Sequence, residues 1–415
     1  MTSDHTSTDQ RVPFFTRGTI LLTVLAVVGL IGYVYRLLFG LQAATNLDSQ
    51  YAWGLWIAVD VASGVALAAG GFTTAALANI FHKEDYHVFV RPALLTAMLG
   101  YTFVVIGLLA DLGRYYNVWH PMLPSMWQGN SALFEVGMCV MIYLSVLYIE
   151  FLPIVIERFR GRVNLPGRLS KLNRFVESCL AAGGRYLGRF ISLFILAGVV
   201  LSCLHQSSLG TLMLIAPGKM HPLWYTNVLP VLFLLSAIAV GFPMVIFESI
   251  LTSRSLQCKP ETGALSSIAV YVPILLGIYL AVKVADLTIR DATGYLFDGS
   301  AASLAYWLEL LGGVVLPIVL LAHARVRRSV TGLFMAALLV VAGVVVNRIN
   351  VFLVAYEPLY SQQSYFPSPI EITVTIGLIS TLVLIFRWIV MNFPILTTEE
   401  CLKRVGVFEI GRAHV

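Results

Sequence analysis

Charge is what this 415-residue sequence has least of: 12% of its residues are Asp, Glu, Lys or Arg, against about 25% in an ordinary soluble chain. So little charge cannot cover the surface of a soluble domain, and no stretch is left over to form one. Cysteine is scarce too. Cys139, Cys179, Cys203, Cys258 and Cys401 are scattered, with no C-x-x-C pair and no even framework. That argues against a disulfide scaffold, a zinc site or an iron–sulfur site in this chain, and no metal site is expected. A Gly-rich phosphate-cradling loop is also missing.

Apolar residues fill the chain instead, at 58% of the sequence and a mean hydropathy of +0.83. A membrane-crossing helix needs about 20 mostly apolar residues. Ten runs qualify, at 18–40, 54–81, 90–112, 129–157, 187–209, 226–250, 267–288, 301–323, 331–353 and 370–392. They predict an all-α, polytopic membrane helix bundle over residues 18–396, with a short segment at 1–17 before it and a tail at 397–408 after it. The last seven residues, "EIGRAHV", are what one reading frame of a common short-read sequencing adapter encodes. Residues 409–415 are therefore expected to be read-through and are set aside.

Lys and Arg orient the bundle, because cytoplasmic loops carry the excess of them. The N-terminal segment, alternate loops and the tail hold nineteen: Arg11, Arg17, Lys83, Arg91, eight from Arg158 to Arg189, Arg254, Lys259, Arg325, Arg327, Arg328, Lys403 and Arg404. The opposite loops hold three, Arg114, Lys219 and Arg290. Both termini are thus expected in the cytoplasm, with the first helix an uncleaved anchor. The pI near 8.9 follows from these loops, and nucleic acid is not an expected partner.

Orientation turns the polar residues of the spans into a depth map. "WGLWIAVDVASGVALAAGG" enters from the outer side, which puts Asp60 about 9 Å deep at 1.5 Å per residue. A carboxylate there is expensive and marks a functional candidate. "ADLGRYYN" brings Asp111 and Arg114 to the outer surface, and "NSALFEVGMC" places Asn130 and Ser131 at the rim with Glu135 one turn or more below. "LHQSSLG" is expected to end the fifth helix, bringing His205 and Gln206 to the same level. Arg36, Lys283, Asp286, Glu309, Asn347 and Arg348 also fall in outer halves. Asp60, Gly64 and Ala68 share a helix face, and the small residues predict a cleft beside the acid. Carboxylates, a His and an Arg converging in an outer pocket suit proton exchange with a lipid-soluble quinone, menaquinone or ubiquinone, whose oxygens need donors when oxidised and acceptors when reduced.

Each residue also has a plainer reading. Asp60 could pair with Arg36 or Lys283 to join helices. Asp111 and Arg114 could clamp a helix end as an i,i+3 pair. His205 could satisfy a backbone carbonyl. Trp119, Trp127, Trp224 and Tyr225 read as interface-belt aromatics. Among eight histidines, His5 and His414 are terminal, His82 and His87 lie in an inner loop, and His120 and His221 in outer loops. Only His205 and His323 end helices, on opposite sides, so a bis-His haem is not expected. Without haem or metal this chain cannot carry electrons far, and a quinone pocket implies a partner on the outer face. Glu150 and Glu248 are the chief acids of the inner halves.

Seven stretches in order resemble a known family: "WGLWIAVDVASGVALAAGG", "VRPALLTAMLGY", "ADLGRYYN", "NSALFEVGMCVMIY", "HQSSLGTLM", "HPLWYTNVLPVL" and "MVIFE". They are similar to the quinone-reactive subunit of hydrogenase-2 type, within the polysulfide reductase and nitrite reductase membrane-subunit (NrfD-like) family. The resemblance runs from about Arg17 to Leu396, and ten helices match the longer branch of that family. It implies a haem-free subunit of anaerobic respiration in the bacterial inner membrane. Its partners would be a periplasmic ferredoxin-like iron–sulfur subunit and a catalytic nickel–iron hydrogenase or molybdopterin subunit. On matched positions it carries over Asp60, Asp111, Arg114, Asn130, Glu135, His205 and Gln206.

Together these readings predict a membrane anchor whose main catalytic centre is on a partner chain. Arg114, Gln206 and Asn130 are expected to donate hydrogen bonds to the quinone head, with Asp111 at the same site. His205 and Asp60 would exchange its protons, and Glu135 would link the pocket to water or to a deeper path. The rivals are the membrane subunit of a polysulfide or nitrite reductase complex, an anchor without a quinone, and a proton-coupled secondary transporter. Transporters usually show internal repeats with broken midplane helices, and corresponding halves are not apparent here.

Overall fold

The computed structural model describes residues 12–80, 86–360, 364–396 and 401. Arg11, His82, Lys83 and the tail with Lys403, Arg404 and the adapter-like 409–415 lie outside the described residues. So do the terminal His5 and His414.

Among the described residues, ten helices are long and apolar enough to cross a membrane. They are α1 (Arg17–Phe39), α2 (Trp56–Asn79), α3 (His87–Asp111), α4 (Ala132–Phe159), α5 (Leu169–Leu214), α6 (Leu229–Ser255), α7 (Thr262–Ile289), α8 (Ala301–Ala322), α9 (Val330–Val354) and α10 (Pro369–Asn392). The protein is a polytopic all-α membrane bundle. Side chains mark the starts. Thr16 and Thr19 form a capping box on α1, Ser131 caps α4, and Ser368 with Glu371 forms a capping box on α10, which has Pro369 in its first turn. Each gives an otherwise orphaned N–H a partner where lipid offers none.

Nine spans lie where hydropathy puts them, and α5 is the exception. It was expected at 187–209, but α-helix runs unbroken from Asn173 to Leu214. Hydropathy detects only the apolar part, whereas Arg174, Arg185 and Arg189 are good helix formers that continue the helix beyond it. At the other end Ser207, Ser208 and Gly210 do not stop it. His205 therefore lies about 14 Å from the helix end at 1.5 Å per residue, deeper than expected.

Burial sorts the helices. The apolar window of α2 is 72% buried and those of α1 and α5 11%, so α2 is central and the other two are peripheral. α2 packs on α3 and α6, α4 on α5, α6 on α7 and α9, and α8 on α9, while α1 rests mainly on α10. That last contact depends on two glycines. A Cβ on Gly29 would lie 2.4 Å from the Cα of Gly377, so any side chain there forces the helices apart. Gly377→Val should thus loosen α1, costing about 1–3 kcal/mol as overpacked sites do. Its check is a lower unfolding temperature together with new protease cleavage before α2; an unchanged protein would mean α1 is held elsewhere.

One pairing departs from the expectation for cysteine. Cys258, in the connection after α6, and Cys401 form a disulfide with their Cα atoms 5.4 Å apart. It is one bridge rather than a scaffold. The two residues are 143 apart in sequence, a separation in which no spacing pattern is visible.

Candidate functional site

Asp60 stands near the N-terminal end of α2 in the stretch Trp56–Ser63, which is wound as π-helix. Such widened turns are frequent at functional sites. Its side chain is buried, and Oδ2 accepts a hydrogen bond from Thr375 Oγ1 at 2.6 Å. This bond is unusual for α10, where Thr373 and Thr381 donate to carbonyls of their own helix, the common fate of a helical hydroxyl. Neither cation proposed for Asp60 reaches it. Arg36 bonds the carbonyls of Ala110 and Leu112 at the end of α3, and Lys283 pairs with Glu309. The helix-joining ion pair is thereby replaced by a single neutral donor.

The small residues beside Asp60 do not leave a cleft. A Cβ on Gly107 of α3 would lie 2.7 Å from the Cβ of Asp60, one on Gly64 2.9 Å from Val104, and one on Gly100 3.1 Å from Ala68. Small residues let α2 and α3 approach closely, and that packing fills the space the sequence pattern suggested was open.

Asp111 closes α3 one turn beyond Gly107. It interacts electrostatically with Arg36 and Glu371, and its Oδ1 is buried without a hydrogen-bond partner. Arg114 is exposed in the following loop, and no bond joins it to Asp111, so the i,i+3 clamp does not form; the helix ends at Asp111 and takes Arg114 off its face. Glu371 is a hub. Its carboxylate accepts from the N–H of Asn46 and Ser368 at 3.2 and 2.8 Å and from the Tyr365 hydroxyl. It holds two loops over this corner of α1, α2, α3 and α10. Tyr365, outside the spans, is pushed to a higher pKa by burial and by Glu371, so it stays protonated and donates.

His205 and Gln206 lie on another face of α2 and α3. His205 is fully buried, with Nδ1 3.1 Å from the Tyr101 hydroxyl. Tyr101 in turn meets Tyr143 of α4 edge-on at 4.5 Å. Gln206 Nε2 donates to the Val65 carbonyl at 2.7 Å. Two atoms are left over, His205 Nε2 and Gln206 Oε1, both buried without a partner. Buried polar atoms are nearly always paired, so these are the capacity a ligand or a proton could use. Tyr101 and Gly107 are six positions apart on α3, which sets the His205 cluster about 9 Å deeper than Asp60.

The seven expected residues therefore separate into three places. Asp60 and Asp111 share one corner, His205 and Gln206 share a deeper one, and Arg114, Asn130 and Glu135 are exposed in the loop between α3 and α4 and on the first turn of α4. Thr375, Tyr101 and Glu371 were not singled out from sequence, since hydroxyls and a helix-capping acid carry no pattern that distinguishes them. Nor was Trp224 placed correctly. It is buried and donates to Glu309 at 3.1 Å rather than standing in the interface belt, whereas Trp119 and Trp127 are exposed.

Haem ligation can be tested on the histidines. Among the described residues His205 alone is buried in a span, while His323 is exposed and bonds the Val319 carbonyl at 2.8 Å. The described residues do not offer the facing pair that a bis-His haem requires.

The family described as polysulphide reductase, NrfD, matches residues 43–357, which cover α2 to α9. The chain belongs to the NrfD family. This NrfD chain is 33% identical to the probable Ni/Fe-hydrogenase 2 b-type cytochrome subunit of Escherichia coli, over 90% of each chain. It is 25% identical to the menaquinone reductase integral membrane subunit of Nitratidesulfovibrio vulgaris, over 89% of each. It is 24% identical to a selenate reductase subunit of Mesobacillus selenatarsenatis, over 91% of this chain and 94% of that one. The NrfD chain is thus a membrane subunit of the respiratory-oxidoreductase kind, similar to hydrogenase-2 and menaquinone reductase membrane subunits.

Proposed function

We propose that this NrfD chain is the quinone-reactive subunit of a respiratory complex in a bacterial inner membrane. It would pass electrons between an outer-face iron–sulfur subunit, most readily one serving a nickel–iron hydrogenase, and menaquinone or ubiquinone in the bilayer. The observation that carries this is the buried carboxylate of Asp60, with no cation beside it among the described residues and held by Thr375 in the same half of the bundle as the unpartnered His205 Nε2 and Gln206 Oε1. A quinone taking two electrons from the partner needs two protons at its oxygens, and these are groups able to hold and release them. In this reading Asp60, with Asp111 beside it, exchanges a proton at the quinone head, His205 and Gln206 hold and pass protons from their deeper place, and exposed Glu135, Arg114 and Asn130 line the way to water. The chain works without haem in this reading, and both termini face the cytoplasm.

The test compares membranes carrying the complex with membranes lacking this chain. Quinone-analogue reduction should disappear with the chain while dye-linked activity of the catalytic partner survives. Quinone reduction that persists without the chain would overturn the reading.

Thr375 gives a finer check. Hydrogen bonds to charged groups contribute roughly 1.5–3 kcal/mol, so Thr375→Val should slow quinone turnover about tenfold or more, and Thr375→Ser should restore it. Equal activity in Val and Ser variants would reduce Thr375 to packing.

A further inference from the structure

The most concentrated charge in the chain lies away from the Asp60 corner and takes no part in its chemistry. Between Arg158 and Phe190 stand eight Lys and Arg residues and one acid, Glu177. Arg160, Arg162, Lys171, Arg174, Arg185 and Arg189 are exposed, and their side chains form no hydrogen bond or ion pair with the described residues. The nearby Glu157 is already taken, paired with Arg91 at 2.8 Å.

The fold draws these residues into one area. Leu165 N–H donates to Asn173 Oδ1 at 2.9 Å, tying the loop after α4 to the start of α5. Further along, Cβ atoms on Gly183 and Gly184 would stand 3.4 and 3.5 Å from Ile156, so the end of α4 lies against α5 just after its basic first turns. α5 has 46 residues, about twice what a bilayer needs, and the surplus is the basic part. Large apolar side chains alternate with the charges. Phe175, Tyr186 and Phe190 are 67%, 63% and 49% exposed, and Tyr186 and Phe190 are one turn apart, as are Arg185 and Arg189. A helix that shows aromatics beside cations at the edge of a span seats its rings among acyl chains and its charges among headgroups.

We infer that the end of α4 and the first turns of α5 form a docking surface for anionic phospholipid headgroups of the leaflet at that end of the bundle. The occupant follows from charge complementarity and from continuity with the spanning part of α5. Basic clusters beside a membrane helix attract anionic lipid, residue by residue, within a Debye length. The surface does not depend on the quinone reading and stands if that reading fails.

Native mass spectrometry of the purified complex tests this, titrating phosphatidylglycerol against phosphatidylcholine with the same acyl chains. Phosphatidylglycerol should be retained about tenfold better, a preference lost in high salt and lost when Arg160, Arg162, Lys171 and Arg174 are changed together to Gln. Changing the three arginines among them to Lys, or neutralising Arg325, Arg327 and Arg328 instead, should leave the preference. Because the salt arm uses the wild-type protein, it holds even if the Gln variant assembles poorly. Equal retention of the two lipids would overturn the inference, as would a preference that survives the Gln changes in an assembled complex. Competition by millimolar inorganic phosphate or by polyglutamate at low ionic strength would point to a free-anion or acidic-protein site and would also overturn it.

Discussion

Asp60→Asn is expected to lower quinone-analogue reduction by roughly 10²–10⁴-fold, the usual contribution of a positioned general acid or base, while dye-linked activity of the partner and assembly stay intact. Asn has nearly the shape of Asp and can still accept from Thr375 Oγ1, now 2.6 Å from Oδ2. It cannot gain or lose a proton, so the variant separates chemistry from packing against Gly107. Glu135→Gln is the comparison. Glu135 is exposed on the first turn of α4, where water can partly replace it, and a smaller loss is expected. Unchanged turnover in both variants would leave the carboxylates as structural groups and remove the central claim of the proposed function. Loss of dye activity along with quinone activity would show misassembly, which Asp60→Glu, keeping a titratable group, is placed to distinguish.

The second large effect lies in the other half of the bundle. Glu309 is buried in the π-wound stretch Leu308–Val315 of α8. It pairs with Lys283 of α7 and accepts from Asn347 and Asn350 of α9 at 2.9 Å each and from Trp224 at 3.1 Å. Beside it Arg348 lies over the Phe233 ring at 3.7 Å and donates to Ser236 Oγ at 2.9 Å. One carboxylate thus stands between two buried cations. Removing it leaves its paired Lys283 buried without a counter-ion, and breaking such a pair costs about 3–5 kcal/mol. Glu309→Leu should therefore lower the unfolding temperature of the purified chain sharply. Lys283→Met combined with Glu309→Leu should recover most of it, because apolar replacement of a whole buried pair is often near neutral. A double variant as unstable as the single one would mean the network around Arg348, and not the pair, holds α7, α8 and α9 together.

How far the site could be read from sequence differs between its parts. That Asp60 is special was visible, because an acid in a span stands out against apolar neighbours. What surrounds it was not. Its partner Thr375 is 315 positions away, and nothing in α10 distinguishes that threonine from Thr373 or Thr381. The pattern of Gly64 and Ala68 was visible, but whether small residues make a cleft or admit a neighbouring helix depends on what the neighbour presents, here Gly100 and Gly107. His205 was found by type but placed too shallow, since hydropathy marks where a helix is apolar rather than where it ends.

By itself the sequence determined the class of molecule, because composition and run length are properties of single segments and lipid tolerates few alternatives to a helix. It determined the number of spans, and seven ordered motifs pointed to the family to which the chain belongs. Tertiary structure decided every pairing: Asp60 with Thr375 instead of Arg36, Glu309 with Lys283 and Trp224, Cys258 with Cys401. It also decided the division of the expected single pocket into an Asp60 corner and a deeper His205 cluster. The physical reason is that buried polar groups must find partners, and which partners are within reach depends on how helices far apart in sequence are brought together.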